Sequence, residues 1–140
     1  MSADATAAQL SDYAAAFSHT HLDAAAVHAV KRALVDAIGC ALGAHAAEPV
    51  AIASRLAALS HSDTPATLIG SGRRTTPEMA AFANGTMVRY LDFSDDYLNK
   101  DGPHPSDNIA AVLAACESSG ASGRDLLRGV ALAYEIVGQL

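Results

Sequence analysis

Between two apolar, helix-like runs, residues 91–108 (LDFSDDYLNKDGPHPSDN) gather Asp92, Asp95, Asp96, Lys100, Asp101, His104 and Asp107. His104 stands between Pro103 and Pro105, and the steric limits around proline hold its backbone out of helix. Imidazole titrates near neutral pH, so His104 is the best general acid/base candidate by residue type. If the preceding helix runs on into this segment, Asp92 shares a face with Asp95 or Asp96, three and four residues on. Closely placed carboxylates repel, at least one pKa rises, and the pair can divide into a base and a proton-holding acid. Two other readings stand on the same residues. The carboxylates can hold Mg²⁺ through their oxygens, or they can simply solvate a loop and cap helix ends, as Asp often does. A calcium EF-hand loop is excluded, because position six counted from Asp92 is Tyr97, not Gly.

Little other chemistry is on offer. No G-x-S-x-G nucleophile elbow occurs. Gly70-Ser71-Gly72 precedes Arg73-Arg74 but lacks the Lys-Ser/Thr pair of a phosphate loop, so it reads as a plain turn. His19, His21, His28, His45 and His61 read as surface residues, and His19 and His21 lack the i, i+4 spacing of a helical zinc pair. Cys40 and Cys116 lie inside apolar helical patterns and read as buried reduced thiols. The formal net charge of -6 argues against nucleic acid, which asks for a basic patch. The N-terminus has no basic region followed by an apolar run, and Asp36, Arg55 and Glu78 interrupt the apolar stretches. Neither a signal peptide nor a membrane span is expected, and cytoplasm is the default.

The surrounding periodicity is helical. Thr6 to Phe17 reads as a short helix, and SHTH, ending at His21, as a connector. From Leu22 to Ala44, residues Val27, Val30, Leu34, Ile38 and Ala41 recur at spacings of three and four, one face of a helix. Asp23 suits the positive end of that helix. Gly39 and Gly43 would let a neighbouring helix approach closely. Pro49 opens a third helix, running to about Leu59. TLIG, Thr67 to Gly70, is the one strand candidate and is too short to build a sheet.

Thr76-Pro77-Glu78 has the order of N-cap, first helical position and acidic first turn. Asn84-Gly85, in the middle of that helix, predicts a kink or a close neighbour. Ser106 is expected to cap the next helix, and Ser122 with Asp125 has capping-box spacing before the last one. The fold class is therefore all-α, with at most one very short strand. The last apolar pattern is still running at Leu140, which predicts a chain that continues. It leaves a face of Leu127, Val130, Tyr134 and Val137 open to self-association.

Read together, residues 90–117 (YLDFSDDYLNKDGPHPSDNIAAVLAACE) resemble the MmgE/PrpD family of 2-methylcitrate dehydratases and cis-aconitate decarboxylases. The resemblance extends upstream through FANGTMVRYLDF and RALVDAIGCALGA, and downstream through GRDLLRGVALAYEIVGQL. It implies that residues 1–140 are the N-terminal part of a large helical domain, with a smaller α+β domain beyond them. It also implies a homodimeric lyase with no cofactor, no iron–sulfur cluster and no metal. The implied reaction is dehydration of 2-methylcitrate to 2-methylaconitate in the 2-methylcitrate cycle of propionate catabolism. The spacer and the HPSDN form are closer to the dehydratase branch than to the decarboxylase branch. Decarboxylation of cis-aconitate, or another reaction of a related polycarboxylate, is the alternative within the family. A non-catalytic helical fragment acting only in association is the alternative outside it.

Carried over residue by residue, Asp92 and His104 match the family's active-site Asp and His, and Asp95 and Asp96 its acidic pair. Lys100 and Ser106 join Asp95 and Asp96 as expected substrate-binding residues. Further lysines and a second histidine of the family lie later than Leu140. A tricarboxylate needs cations to offset its charge, and Lys100 and Arg89 are the local ones.

Overall fold

The computed structural model of the protein describes residues 5–98 and 102–139. Among them, six α-helices follow in the order α1 (Ala5–Ala16), α2 (Ala24–Ala44), α3 (Glu48–Ala57), α4 (Pro77–Tyr90), α5 (Ile109–Ser119) and α6 (Gly123–Gln139). Single 3₁₀ turns at His19–His21 and Pro105–Asn108 precede α2 and α5, and a short hairpin lies between α3 and α4. No helix among the described residues is long and apolar enough to cross a membrane.

Several helix ends are written locally. The Asp23 carboxylate accepts from the Ala26 N–H at 2.7 Å and starts α2. Thr76 starts α4 as its N-cap, with Pro77 at the first helical position. At α6 the capping box forms in full: Asp125 Oδ2 accepts from the Ser122 N–H, and the Asp125 N–H donates to Ser122 Oγ. Gly120, at φ +65°, closes α5 in the left-handed conformation. The Ala121 N–H then reaches the Cys116 carbonyl and the Gly120 N–H the Glu117 carbonyl, the paired bonds of a Schellman ending.

α4 is the centre of the packing, against α2, α3 and α5. Its first half buries Ala80 and Ala83 in a cluster with Ala53 and Ala57 of α3 and Ala114 of α5. Its second half buries Met87 and Val88 with Ala37, Ala41 and Ala44 of α2 and Val130 of α6. Side chains this small let helix backbones approach to the short end of the 8–10 Å range. The buried stripe of α2 is therefore Val30, Ala37, Ala41 and Ala44, while Ile38, expected inside, is partly exposed. Gly43 meets the Leu91 side chain, 3.0 Å from where a Cβ would stand, whereas a Cβ at Gly39 would find open space. Only one of the two α2 glycines therefore serves a close approach.

The strand expectation needs extension. β1 is Ala66–Thr67, shifted from TLIG, and it pairs antiparallel with β2, Arg74–Thr75. Gly70 and Gly72, both at positive φ, make the turn between them. Three side chains hold this minimal hairpin to the helices. Asn84 of α4, 1% exposed, accepts from the Ile69 N–H at 2.9 Å and donates to the Thr67 carbonyl at 2.8 Å. Glu117 of α5 accepts from the Thr67 N–H and hydroxyl, at 2.7 and 2.8 Å. Thr75 Oγ1 donates to the Ala57 carbonyl at the end of α3. Asn84-Gly85 thus neither breaks nor ends α4: Asn84 is a clasp, and a Cβ at Gly85 would meet Ala110 at an ordinary 3.9 Å.

Other expectations shift in detail. Cys40 and Cys116 are free but only partly buried. Val130 is fully buried and Leu127 and Tyr134 pack on the core, so the face of α6 is largely covered. Large exposed apolar side chains lie instead on α2 (Val35, Leu42) and α3 (Ile52, Leu56).

Asn84→Ala would leave the Thr67 carbonyl and the Ile69 N–H without their partner. The expected cost is about 2–4 kcal/mol, from two part-buried backbone groups left unsatisfied. Urea denaturation followed by circular dichroism measures it, and a loss under 1 kcal/mol would show that the clasp does not hold the hairpin.

Candidate active site

α4 ends at Tyr90, and the chain does not continue as helix into the aspartates. Asp92 takes φ +56°, the left-handed region, which turns the chain sharply away from the helix axis. The expectation that Asp92 shares a helical face with Asp95 or Asp96 therefore fails. An L-residue in this conformation is strained by roughly 1–2 kcal/mol, least for Asp and Asn, whose short polar side chains bond locally.

The local partner is Arg89, one turn back on α4, whose guanidinium pairs with Asp92. Arg89 also approaches Asp107, at 3.9 Å, in the 3₁₀ turn that follows His104. One cation thus ties the end of α4 to the start of the next helical segment. The Asp92 side chain is 74% exposed. Its carboxyl is nonetheless held below the usual range, first by the Arg89 hydrogen bond, then by the Arg89 charge and, more weakly, by His104. Asp92 is therefore ionised throughout the neutral range.

Beyond Asp92 the loop folds back on itself. The Tyr97 N–H donates to the Pro103 carbonyl at 3.0 Å, and His104 Nδ1 lies 2.7 Å from the Asp95 carbonyl oxygen. A carbonyl can only accept, so Nδ1 carries the proton and donates it. In the neutral ring Nε2 is then the nitrogen with the free lone pair. The two flanking prolines keep this histidine extended, at φ −102° and ψ 92°.

Asp95 is the most engaged residue of the segment. Its Oδ1 accepts from the Ser106 N–H at 3.0 Å, and its Oδ2 accepts from the Tyr134 hydroxyl of α6 at 2.6 Å. That second distance is typical of a charge-assisted O–H···O⁻ bond. Such bonds contribute about 1.5–3 kcal/mol each. Burial, and then the Asp95 carboxylate, raise the Tyr134 phenol well above its ordinary pKa, so it stays protonated and remains a donor.

The remaining expected site residues separate. Asp96 is exposed, with its carboxylate beside Gly102. Ser106 is 2% exposed and does not cap α5. Its Oγ is buried with no hydrogen-bond partner among the described residues. Lys100 and Asp101 lie outside the described residues, as does the side chain of His19. Among the described residues no three of His, Cys, Asp and Glu form a metal-binding group.

Two features are not legible in the sequence. Tyr134 is 39 residues from Asp95 and reads as one more apolar position on α6. The other is an open groove of about 750 Å³, lined by Asp95 and Tyr134 on one side and by His28, Lys31, Arg32 and Asp36 of α2 on the other. Lys31 and Arg32 are cations near the loop that spacing alone does not connect to it.

The chain matches the family model described as the MmgE/PrpD N-terminal domain over residues 8–140. The 2-methylcitrate dehydratase of Escherichia coli O157:H7 is 34% identical over 122 residues, covering 75% of this chain and 24% of that protein. The mitochondrial 2-methylcitrate dehydratase of Yarrowia lipolytica is 35% identical over 82 residues, covering 51% of this chain and 16% of that protein. The human cis-aconitate decarboxylase is 30% identical over 126 residues, covering 86% of this chain and 26% of that protein. The chain thus spans about a quarter of the length of the curated relatives it matches over most of its residues. No solved structure gives a significant match.

The Arg89–Asp92 pair makes a direct prediction. Arg89→Ala should raise the Asp92 carboxyl towards its ordinary value of roughly 3.9. A carboxylate depressed in the folded state adds stability above its unfolded pKa and loses it as the pH falls through the folded one. For so exposed a pair that gain is small. Carbon-detected NMR titration of the Asp92 carboxyl checks the shift, and an unchanged midpoint would show that Arg89 does not set it.

Proposed function

The chain belongs to the MmgE/PrpD family, and on that premise we propose that the protein dehydrates 2-methylcitrate to 2-methylaconitate, with His104 as its acid/base group. The observation that carries this reading is the His104 Nδ1–H donated to the Asp95 carbonyl. It leaves Nε2 as the ring position for proton transfer, within electrostatic reach of an aspartate held ionised. Dehydration removes a proton from the carbon next to a carboxylate, and the hydroxyl on the neighbouring carbon departs as water. His104 Nε2 takes that proton as the C=C bond forms and, as the imidazolium, delivers it to the departing hydroxyl, so that it leaves in the water. Asp92, being ionised, cannot donate one. It stabilises the positive charge that His104 acquires.

The substrate is a polycarboxylate, so cations must face it. Lys100 is proposed to do so, together with Lys31 and Arg32 of α2. Asp96, exposed on the same loop as His104, is proposed to bind the substrate as well. The buried, unpartnered Ser106 Oγ suits a substrate oxygen, because pairing removes the cost of an unsatisfied hydroxyl. Asp95, with both carboxylate oxygens already engaged, supports these groups from behind. Residues of the full-length protein beyond this chain complete the site, in a cytoplasmic homodimer serving propionate catabolism. Decarboxylation of cis-aconitate is the second reading, favoured by the match to the human decarboxylase over 86% of this chain.

In the full-length protein, His104→Ala should lower turnover of 2-methylcitrate by ~10²–10⁴-fold, the range for an acid/base group, and Asp92→Asn, which removes the charge that stabilises the imidazolium, by ~10²–10³-fold. The asparagine tolerates positive φ, so that variant keeps the turn. Absorbance of the unsaturated product follows the reaction, and carbon dioxide release from cis-aconitate separates the second reading. Wild-type rates in both variants would overturn the assignment. EDTA treatment should leave activity intact, and loss restored by Mg²⁺ would instead make the aspartates metal ligands.

A further inference from the structure

The Asp95 carboxylate is held at both oxygens by groups from different parts of the chain: the Ser106 N–H in the 3₁₀ turn and the Tyr134 hydroxyl of α6. The carbonyl of the same residue receives the His104 Nδ1–H. Asp95 therefore joins α6 to the imidazole through a single residue's backbone. A free carbonyl in a loop can rotate with its peptide plane. One whose side chain is anchored on two sides cannot turn far without breaking a bond to a charged group.

We propose that Tyr134 is a positioning residue: by fixing Asp95 it fixes the carbonyl that selects the Nδ1–H form of His104 and aims Nε2 at the substrate. The inference rests on His104 being the acid/base group. Tyr134 reaches the imidazole only through Asp95. Without its hydroxyl, Asp95 Oδ2 has no donor in a part-buried setting and turns towards water. The carbonyl then moves off the line to Nδ1, and the ring is free to populate the Nε2–H tautomer, in which Nε2 cannot accept a proton.

The test uses the full-length protein carrying ¹⁵N-labelled histidine. Long-range ¹H–¹⁵N spectra show which ring nitrogen bears the proton, and loss of one set of signals in His104→Gln assigns His104. Wild type should show Nδ1–H. Tyr134→Phe, which keeps the ring and removes the hydroxyl, should show a mixture of tautomers. Its kcat on 2-methylcitrate should fall about tenfold, with KM within twofold of wild type. Asp95→Asn, whose amide cannot accept from both donors, is the second variant and should show the same mixing.

A His104 tautomer unchanged in both variants overturns the proposal, even if the melting temperature falls, because that is the mark of a merely structural contact. A tautomer shift in a protein that never turns over 2-methylcitrate supports the positioning device and refutes the proposed reaction instead.

Discussion

Ala80 and Ala83 of α4, Ala53 and Ala57 of α3 and Ala114 of α5 form one buried cluster. These methyl-sized side chains set how near the helices can lie. With so little side-chain volume between them, small shifts in one helix are felt in the next. The hairpin of β1 and β2 is held against α4 and α5 by Asn84 and Glu117, which satisfy its part-buried backbone groups. The loop after α4 inherits the same constraint. Leu91, the residue before Asp92, packs against Gly43 of α2, so the start of the polar segment is placed by the helix packing.

From that starting point the segment is organised by charge-assisted hydrogen bonds. Arg89 joins Asp92 and Asp107 on its outer side. Asp95 joins Ser106 and Tyr134 on its inner side. His104 lies between these two arrangements, donating inward from Nδ1. The aspartates that look equivalent in the sequence do different work: one is an exposed, ionised neighbour of the imidazole, another is an internal strut, and Asp96 is exposed.

The elements are legible in the sequence where a local rule decides them. Thr76-Pro77 and Ser122 with Asp125 fix helix starts through bonds within four residues, so residue order is enough. The proline pair around His104 likewise shows that it leaves the helix. What is not legible depends on partners distant in sequence. Asn84 reads as a weak point in α4 because its two hydrogen bonds go to a hairpin some fifteen residues earlier. Ile38 looks like core because periodicity shows a stripe, not which helix covers it. Tyr134 cannot be told from a packing residue until the fold brings Asp95 against its hydroxyl. The helical reading of Asp92 with Asp95 or Asp96 fails for a different reason: spacing assumes regular geometry, and a single left-handed residue ends it.

That left-handed residue narrows what evolution can place at position 92. Glycine accommodates the backbone but carries no charge. Asparagine accommodates it too, yet presents a neutral amide to Arg89. Glutamate keeps the charge, but its longer side chain lacks the local bonding that eases this conformation for Asp and Asn. Shape and charge are independent demands elsewhere in a protein, where one can drift while the other is kept. Here they fall on the same four heavy side-chain atoms, and aspartate alone among the twenty meets both well. A lineage leaving this residue must give up either the bend or the anion, and a return through glutamate is no shortcut.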